Sequence, residues 1–407
     1  MKIGILTLTY KNNLNYGAAL QAWALKTVIE KHTNHSAVVL PMEPEFSHKI
    51  RTEFLGKKGW ISELRKTYAT LRRQHKINKK YKKLENYDRY KYFQYFLETF
   101  AFESKLPFYA DDFEQETKEI DVFIIGSDWV WYLPERFLNV DPTDLPIEKA
   151  LYLGFIPFRQ SHAPRMIAYA ASQGIIPTTS SSLLRLALKN FSSISVREEE
   201  SVHYLTKNGS PIPVQHVVDP TLLLEKSDFE IIERDLPDTC SITKDDYILV
   251  YELKVTENED SLPKYAEKLS NKIGIPICNI SLKSDAPLIK TKSLGEQIGP
   301  MEFLSAIKNS RYVITNSFHG MVFSSLYHKP FTAFQRQSND FRQINLARML
   351  NMENRLLPCA NHTFVDTDVE PFDIEPDWER ADAVRRVAAA RSIDFLIRSL
   401  DYGHSSH

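Results

Sequence analysis

Short apolar segments that favour β-strands alternate with helical segments along this chain, and this alternation constrains the fold more than any other feature. The first unit consists of a strand at residues 2–9, a helix that begins at Gly17 and a strand at residues 36–40. A strand–helix–strand unit joins two parallel strands, and helices cover both faces of a sheet built from such units. We therefore predict an α/β fold with doubly wound parallel sheets.

The alternation occurs twice, on either side of a polar stretch at residues 225–246. The chain has 407 residues, whereas a typical domain has roughly 100–200. We predict two Rossmann-like domains, at residues 1–225 and 226–407, with a cleft between them and a long C-terminal helix at about residues 378–400. Ligands of such sheets bind beyond the carboxyl ends of the strands, so the loops at those ends are the candidate sites.

A segment at about residues 48–100 interrupts the first domain and is rich in lysine and arginine, with recurring aromatic and leucine residues. We interpret it as long basic amphipathic helices that are inserted into this domain or packed on it. Two interpretations remain open. The basic residues form a solvated helical face, or they contact anionic lipid headgroups or a pyrophosphate-linked lipid substrate.

Composition argues against several classes of protein. The net charge of −1 gives no reason to expect a nucleic-acid partner. Cys240, Cys278 and Cys359 are far apart and lack zinc-ligand spacing, so we predict neither a disulfide framework nor a metal site. The N-terminus does not resemble a secretory signal, and no apolar run approaches the ~20 residues of a spanning helix. We expect a cytoplasmic protein, with peripheral contact to the inner face of the plasma membrane if the basic insert binds lipid.

Two predicted loops of the first domain lie at the ends of strands and could contact a ligand. Residues 12–17 lead into a helix whose exposed N–H groups favour an anion, although ordinary turn chemistry explains this loop equally well. Residues 126–131 combine a Gly-Ser-Asp turn with two tryptophans, which form either a sugar-binding shelf or a turn with core tryptophans. The candidate cleft residues are Asn15, Tyr16, Gly17, Ser127, Asp128 and Trp131.

A histidine occurs where a strand of the second domain is followed by a helix, in the segment Thr315-Asn316-Ser317-Phe318-His319-Gly320. Most single histidines are structural, but an imidazole at such a turn can donate and accept protons near neutral pH. We therefore predict that His319 is a catalytic residue.

A basic residue also follows a strand of the first domain. Arg197 follows a strand at residues 193–196 and precedes three glutamates, so it either forms a salt bridge with them or binds a carboxylate or phosphate in the cleft. Lys329, Arg336 and Arg342 lie downstream of His319 and could add positive charge.

Five short motifs occur in order along the chain: residues 15–21 (NYGAALQ), 126–131 (GSDWVW), 195–198 (SVRE), 218–221 (VDPT) and 317–320 (SFHG). With these motifs the chain resembles the polysaccharide pyruvyl transferase family from residue 3 to about residue 355. The resemblance implies a glycosyltransferase-B-like fold of two Rossmann-type domains. It also implies transfer of pyruvate from phosphoenolpyruvate, as a cyclic ketal, to a sugar of a capsular, exopolysaccharide or cell-wall polymer precursor in bacteria.

By the same resemblance, His319 is the catalytic acid and base, and Arg197 binds the donor. The family often has glutamine where this chain has Trp129, and some members have a second arginine where this chain has Ser317. Phosphoenolpyruvate is then a substrate, no separate cofactor is expected, and the acceptor is a glycan or a lipid-linked oligosaccharide. The further residues that we expect at the donor are Asn316, Ser317, Gly320, Lys329 and Arg342.

Two other functions fit the same fold. A nucleotide-sugar-dependent glycosyltransferase would be stabilised by a nucleoside diphosphate and not by phosphoenolpyruvate. A non-catalytic polysaccharide-assembly protein would bind neither donor and would tolerate changes at Arg197.

Overall fold

A parallel sheet of six strands organises the first half of the chain in the order β2-β1-β3-β4-β5-β6. The computed structural model describes residues 1–9, 13–40, 88–102, 117–145, 147–155, 164–233, 246–253, 261–282, 291, 293–336, 340–358 and 371–401. The strands are β1 (Lys2–Leu6), β2 (Ser36–Val39), β3 (Val122–Ile125), β4 (Arg165–Ala171), β5 (Ser193–Val196) and β6 (Val214–His216). Strand order reverses at β1 and β3, so the loops after these two strands diverge and leave a crevice at the carboxyl edge.

A second parallel sheet of five strands has the order β11-β10-β9-β7-β8. Its strands are β7 (Ile248–Tyr251), β8 (Ile277–Asn279), β9 (Tyr312–Thr315), β10 (Phe331–Phe334) and β11 (Leu356–Leu357). The order reverses at β7 and β9, which gives this sheet a crevice of its own. We call the two units the first and second domains.

Helices surround both sheets. They are α1 (Tyr16–His32), α2 (Asp88–Phe96), α3 (Ile147–Tyr152), α4 (Ser182–Ala187), α5 (Glu199–Lys207), α6 (Lys226–Glu233), α7 (Ser261–Ile273), α8 (Pro300–Asn309), α9 (Phe318–Leu326), α10 (Phe341–Leu350) and α11 (Trp378–Asp401). The Val-Phe-Ile-Ile sequence of β3 is buried at every position, as expected of a strand that is covered on both faces. The predicted fold of two Rossmann-like, doubly wound domains in a glycosyltransferase-B-like arrangement is confirmed.

The C-terminal helix α11 packs on the first domain as well as on the second. The Ser392 hydroxyl accepts from the backbone N–H of Val218 at 3.1 Å, and the Arg165 guanidinium donates to the carbonyl of Leu400 at 2.5 Å. A division of the chain after residue 225 therefore separates this helix from its packing partners in the first domain.

The basic insert is described only in its last part, because residues 48–87 lie outside the described residues. In that last part, Arg89 is buried and does not form part of an exposed basic face. Its guanidinium donates to the carbonyl of Gly295 at 2.9 Å and to the carbonyl of Leu14, and it lies 4.0 Å from the ring centroid of Tyr16. Arg89 thus connects the two domains. Within the described ranges, no helix is both long and apolar enough to cross a membrane.

Candidate active site

The carboxyl edges of the two sheets face each other, and the five sequence motifs meet there. From the first domain, the Gln21 amide donates to the Thr7 hydroxyl at 2.8 Å and accepts from the backbone N–H of Ser127 at 3.3 Å. This bonding joins the loop after β1 to the loop after β3. The loop after β9 brings His319 from the second domain to the same place.

The loop after β9 is held by its own polar side chains. The Asn316 amide accepts from the N–H of Leu253 at 2.7 Å and donates to the carbonyl of Leu253 at 2.9 Å. Ser317 caps α9, because its hydroxyl accepts from the N–H of Gly320 at 3.3 Å. A Cβ at Gly320 would lie 2.5 Å from the hydroxyl oxygen of Thr315, so only glycine fits at this position. Asn316, Ser317 and Gly320 therefore hold His319 in place.

The imidazole of His319 packs directly against α1 of the other domain. A Cβ at Gly17 would lie 2.0 Å from Nδ1 and 2.2 Å from Cγ of His319. Glycine is thus required at position 17 because any larger side chain would overlap the imidazole. Its backbone conformation does not require glycine, since its φ lies outside the left-handed region. Asn15 caps the same helix, since its side chain accepts from the N–H of Ala18 at 3.3 Å.

Asp219 lies at the centre of the site and is fully buried. Its Oδ2 accepts from Arg197 Nη1 at 2.5 Å and from the Ser127 hydroxyl at 3.1 Å. Its Oδ1 accepts from the N–H and the hydroxyl of Thr221 at 3.1 and 2.7 Å, and lies 3.6 Å from Nε2 of His319. Burial opposes ionisation, but His319, Arg197 and Thr221 outweigh it and hold the pKa of Asp219 well below its usual range.

Arg197 is buried among three carboxylates. Besides Asp219, its guanidinium lies 3.5 Å from Glu198 and 3.9 Å from Asp128. Burial disfavours its charge, but these carboxylates raise its pKa above the usual value. The guanidinium also covers the ring of Phe318, 4.8 Å from the centroid. The two sequence interpretations of Arg197 are therefore compatible, because it forms salt bridges and also lies at the site.

A second group of cations lies beside this cluster. Arg342 forms a two-pronged pair with Asp340, at 2.8 and 2.6 Å, and covers the ring of Trp129 at 4.6 Å from the centroid. Arg336 approaches the same ring at 6.0 Å. Burial, and then the charge of Arg342, lower the pKa of Arg336, whereas the carboxylate of Asp340 opposes the shift.

Three of the predicted site residues lie elsewhere. Tyr16 is fully buried between the domains, where its ring stacks on Phe303 at 4.5 Å between centroids, so it does not line the cleft. Trp131 is a core residue of the first domain, whose indole N–H donates to the carbonyl of Tyr152 at 2.8 Å. Lys329 precedes β10 at the amino edge of the sheet, where its charged neighbours are Lys226, Arg311 and Asp246. The structure does not bring Lys329 to His319, which corrects the prediction that it binds the donor.

Sequence reasoning gave no separate role to Asp219, and it treated Trp129 and Trp131 alike, as a sugar-binding shelf or as core tryptophans. Asp219 was visible as part of the VDPT motif after a short apolar segment, but only its contacts reveal that it joins the other motifs. Trp129 is half-buried, and its ring packs against Gly174. A Cβ added to Gly174, whose φ is +68°, would lie 2.7 Å from the ring. Among the residues that the structure describes, no group of three or more His, Cys, Asp and Glu side chains is arranged to hold a metal ion.

Comparison with solved structures supports the architecture. The structure is similar to a putative UDP-N-acetylglucosamine 2-epimerase from Listeria monocytogenes, with 10% identity, a TM-score of 0.52 and coverage of 100% of this chain and 97% of the other. It is also similar to UDP-GlcNAc 2-epimerase from Methanocaldococcus jannaschii, with 13% identity, a TM-score of 0.48 and coverage of 99% and 100%. The likeness to the Listeria monocytogenes protein concerns the fold.

Sequence comparison defines the family. No curated protein matches this chain. The family model for polysaccharide pyruvyl transferase matches residues 15–338, which include all five motifs. The chain therefore belongs to the polysaccharide pyruvyl transferase family.

Proposed function

We propose that this protein transfers pyruvate from phosphoenolpyruvate to two hydroxyls of one sugar, as a cyclic ketal, in a precursor of a surface polysaccharide or cell-wall polymer. The observation that carries the proposal is the constellation of His319, Asp219 and Arg197, in which a proton-transfer group from one domain meets an anion-binding group from the other. The donor is a substrate, and the reaction as proposed uses no separate cofactor.

The cations fit a donor with a carboxylate and a phosphate. Arg197, Arg336 and Arg342 are the donor-binding residues that we propose, since guanidinium groups bind both anions in a two-pronged manner. Arg342 is already paired with Asp340, and Arg197 with Asp219. Arg197 Nη2 is buried, has no hydrogen-bond acceptor within the described ranges and lies 3.9 Å from a carboxylate oxygen of Asp128.

The reaction balances with one histidine. C3 of phosphoenolpyruvate takes up a proton and becomes a methyl group, and the two sugar hydroxyls form bonds to C2. The bond from C2 to the phosphate oxygen breaks, and phosphate leaves. His319 gives the proton to C3 and takes one from an attacking hydroxyl, so the imidazole returns to its first state. The proton of the second hydroxyl leaves with the phosphate.

The proposal is tested by incubating the protein with phosphoenolpyruvate and a panel of lipid-linked and p-nitrophenyl sugars. Mass spectrometry should detect one added pyruvyl ketal per acceptor, with one phosphate released. His319→Ala should abolish transfer and leave the unfolding temperature nearly unchanged. The matched control is His328→Ala, because His328 follows the same helix at its other end and is exposed, where it pairs with Asp382. Full activity in His319→Ala would overturn the proposal.

Ligand-dependent thermal stability distinguishes the competing functions. Phosphoenolpyruvate should raise the unfolding temperature of the wild type and should have a smaller effect on Arg197→Ala. Stabilisation by a nucleoside diphosphate, with no response to phosphoenolpyruvate, would favour a nucleotide-sugar-dependent glycosyltransferase instead. A response to neither ligand would favour a non-catalytic assembly protein. A cytoplasmic location and contact between the basic insert and the inner leaflet stay predictions from the sequence.

A further inference from the structure

We propose that Asp219 is a positioning residue for His319: it holds the imidazole with Nε2–H directed at the carboxylate and leaves Nδ1 to exchange the proton with substrate. The inference rests on the proposed function for the chemical role of His319. The tautomer of His319, and its dependence on Asp219, can be tested without measuring enzyme activity.

The carboxylate of Asp219 is itself fixed by its contacts. Arg197 and Ser127 donate to Oδ2, and Thr221 donates twice to Oδ1. The following loop is anchored by Arg385 of α11, whose guanidinium donates to the carbonyls of Leu222 and Leu224 at 3.3 and 3.2 Å. A carboxylate held in this way presents Oδ1 to the imidazole in one orientation.

Access to the imidazole is different for its two nitrogens. Nε2 of His319 is buried and makes no hydrogen bond within the described ranges, although it lies 3.6 Å from Oδ1 of Asp219. The side chain as a whole keeps 8% exposure, so the accessible part of the ring does not include Nε2. Nε2 is therefore closed to substrate, and Nδ1, which packs beside Gly17, is the ring nitrogen left for proton exchange. The 3.6 Å separation shortens to a hydrogen bond when the imidazole becomes charged, because such contacts tighten in the reacting complex.

The charges around the ring favour the same arrangement. Asp219 is the carboxylate that faces the imidazole, and it stays ionised because its pKa lies well below the usual range. Behind it, Arg197 is flanked by Glu198 and Asp128 and keeps Oδ2 occupied. Oδ1 also accepts from Thr221, but it is the oxygen that lies 3.6 Å from Nε2 and can take a further hydrogen bond from Nε2–H. A buried aspartate fixes a catalytic histidine in one tautomer in this way.

The test is nitrogen-15 NMR of protein labelled on histidine. The chain has 12 histidines, so the signal of His319 is identified as the one missing from His319→Gln. At a pH where the imidazole is neutral, the wild type should show the Nε2–H tautomer, with Nδ1 unprotonated. A neutral His319 that carries its proton on Nδ1 would overturn the inference, and this measurement needs no altered Asp219.

Asp219→Asn provides the second measurement. Arg197, as the charged donor, should keep the oxygen of the new amide as its acceptor, at the cost of the hydrogen bond from the Thr221 N–H. The amide NH₂ then takes the place of Oδ1 and donates to Nε2. His319 should then change to the Nδ1–H tautomer, and kcat should fall by roughly 10²–10⁴-fold. The matched control is Asp394→Asn, which alters an exposed pair with Arg398 on α11 and should leave the His319 signal and kcat unchanged.

The outcomes separate the two proposals. An unchanged Nε2–H tautomer in a folded Asp219→Asn protein would refute the role of Asp219, whatever the activity. If both proteins show the expected tautomers but the wild type transfers no pyruvate, the inference about Asp219 is supported and the proposed function is refuted. If Asp219→Asn does not fold, the wild-type tautomer alone decides.

Discussion

Replacement of Gly17 by alanine tests the contact on which the whole site depends, because Gly17 and His319 belong to different domains. An alanine Cβ would lie 2.0 Å from Nδ1 of His319, whereas ordinary contacts begin at 3.4 Å. The imidazole or the domain that carries it must therefore move by about 1 Å or more. A displacement of about 1 Å at a reacting group costs roughly 10²-fold in rate, so kcat/KM should fall at least that far.

The same substitution should have a modest effect on stability. Alanine is favoured over glycine within a helix by about 1 kcal/mol, and the added methyl group costs about 1–3 kcal/mol through overpacking. The free energy of unfolding should therefore change by no more than about 2 kcal/mol, as measured by urea denaturation. We expect a large loss of kcat/KM together with a nearly unchanged unfolding midpoint. The rate of ketal formation is measured by mass spectrometry.

Gly274→Ala is the matched control for this experiment. A Cβ at Gly274 has no neighbour within 4 Å, and its φ of +70° makes the substitution strained at a position remote from the site. It should lower stability by about 1 kcal/mol and leave kcat/KM unchanged. Wild-type kcat/KM in Gly17→Ala would show that Gly17 and His319 are not in contact in the working enzyme, and would refute the site as described.

Three further predictions concern the cations, the tryptophans and acid stability. Arg336→Ala should raise the KM for phosphoenolpyruvate about tenfold or more through loss of a charged hydrogen bond, whereas Lys329→Ala should leave it unchanged; equal effects in steady-state kinetics would contradict the placement of Lys329. Trp131→Ala should lower the free energy of unfolding by about 3–5 kcal/mol, while Trp129→Ala should reduce activity more than stability; the reverse order in paired urea and rate measurements would refute their assignment. The pKa of Asp219 is lower in the folded than in the unfolded chain, so its contribution to stability is present above pH ~4 and is lost as pH falls below that value. When the pH is lowered from 6 to 3, the free energy of unfolding measured with urea should therefore fall less in Asp219→Asn than in the wild type. An equal fall in both proteins would contradict this contribution of Asp219 to stability.

Much of the fold was predictable from sequence because it depends on local patterns. The strand at Ser193–Val196 and the helices at Pro300–Asn309 and Phe341–Leu350 begin and end where apolar periodicity and turn residues place them. The position of His319 at a strand-to-helix junction follows from the same patterns, and so does that of Arg197 after a strand. The amino-edge position of Lys329 was also implied, because a lysine that precedes a parallel strand lies at that strand's amino end.

The tertiary structure alone decided which side chains meet. Trp129 and Trp131 lie two residues apart, and the backbone at Asp128, with φ of 61°, directs one toward the cations and the other into the core. Asp219 acquires its role from partners that local sequence does not reveal, such as Ser127, which lies 92 residues away along the chain. The sequence by itself determined the alternating strands and helices and the presence of a histidine at a strand end. The meeting of Gly17, Asp219 and His319 was decided only by the packing of two sheets whose carboxyl edges face each other.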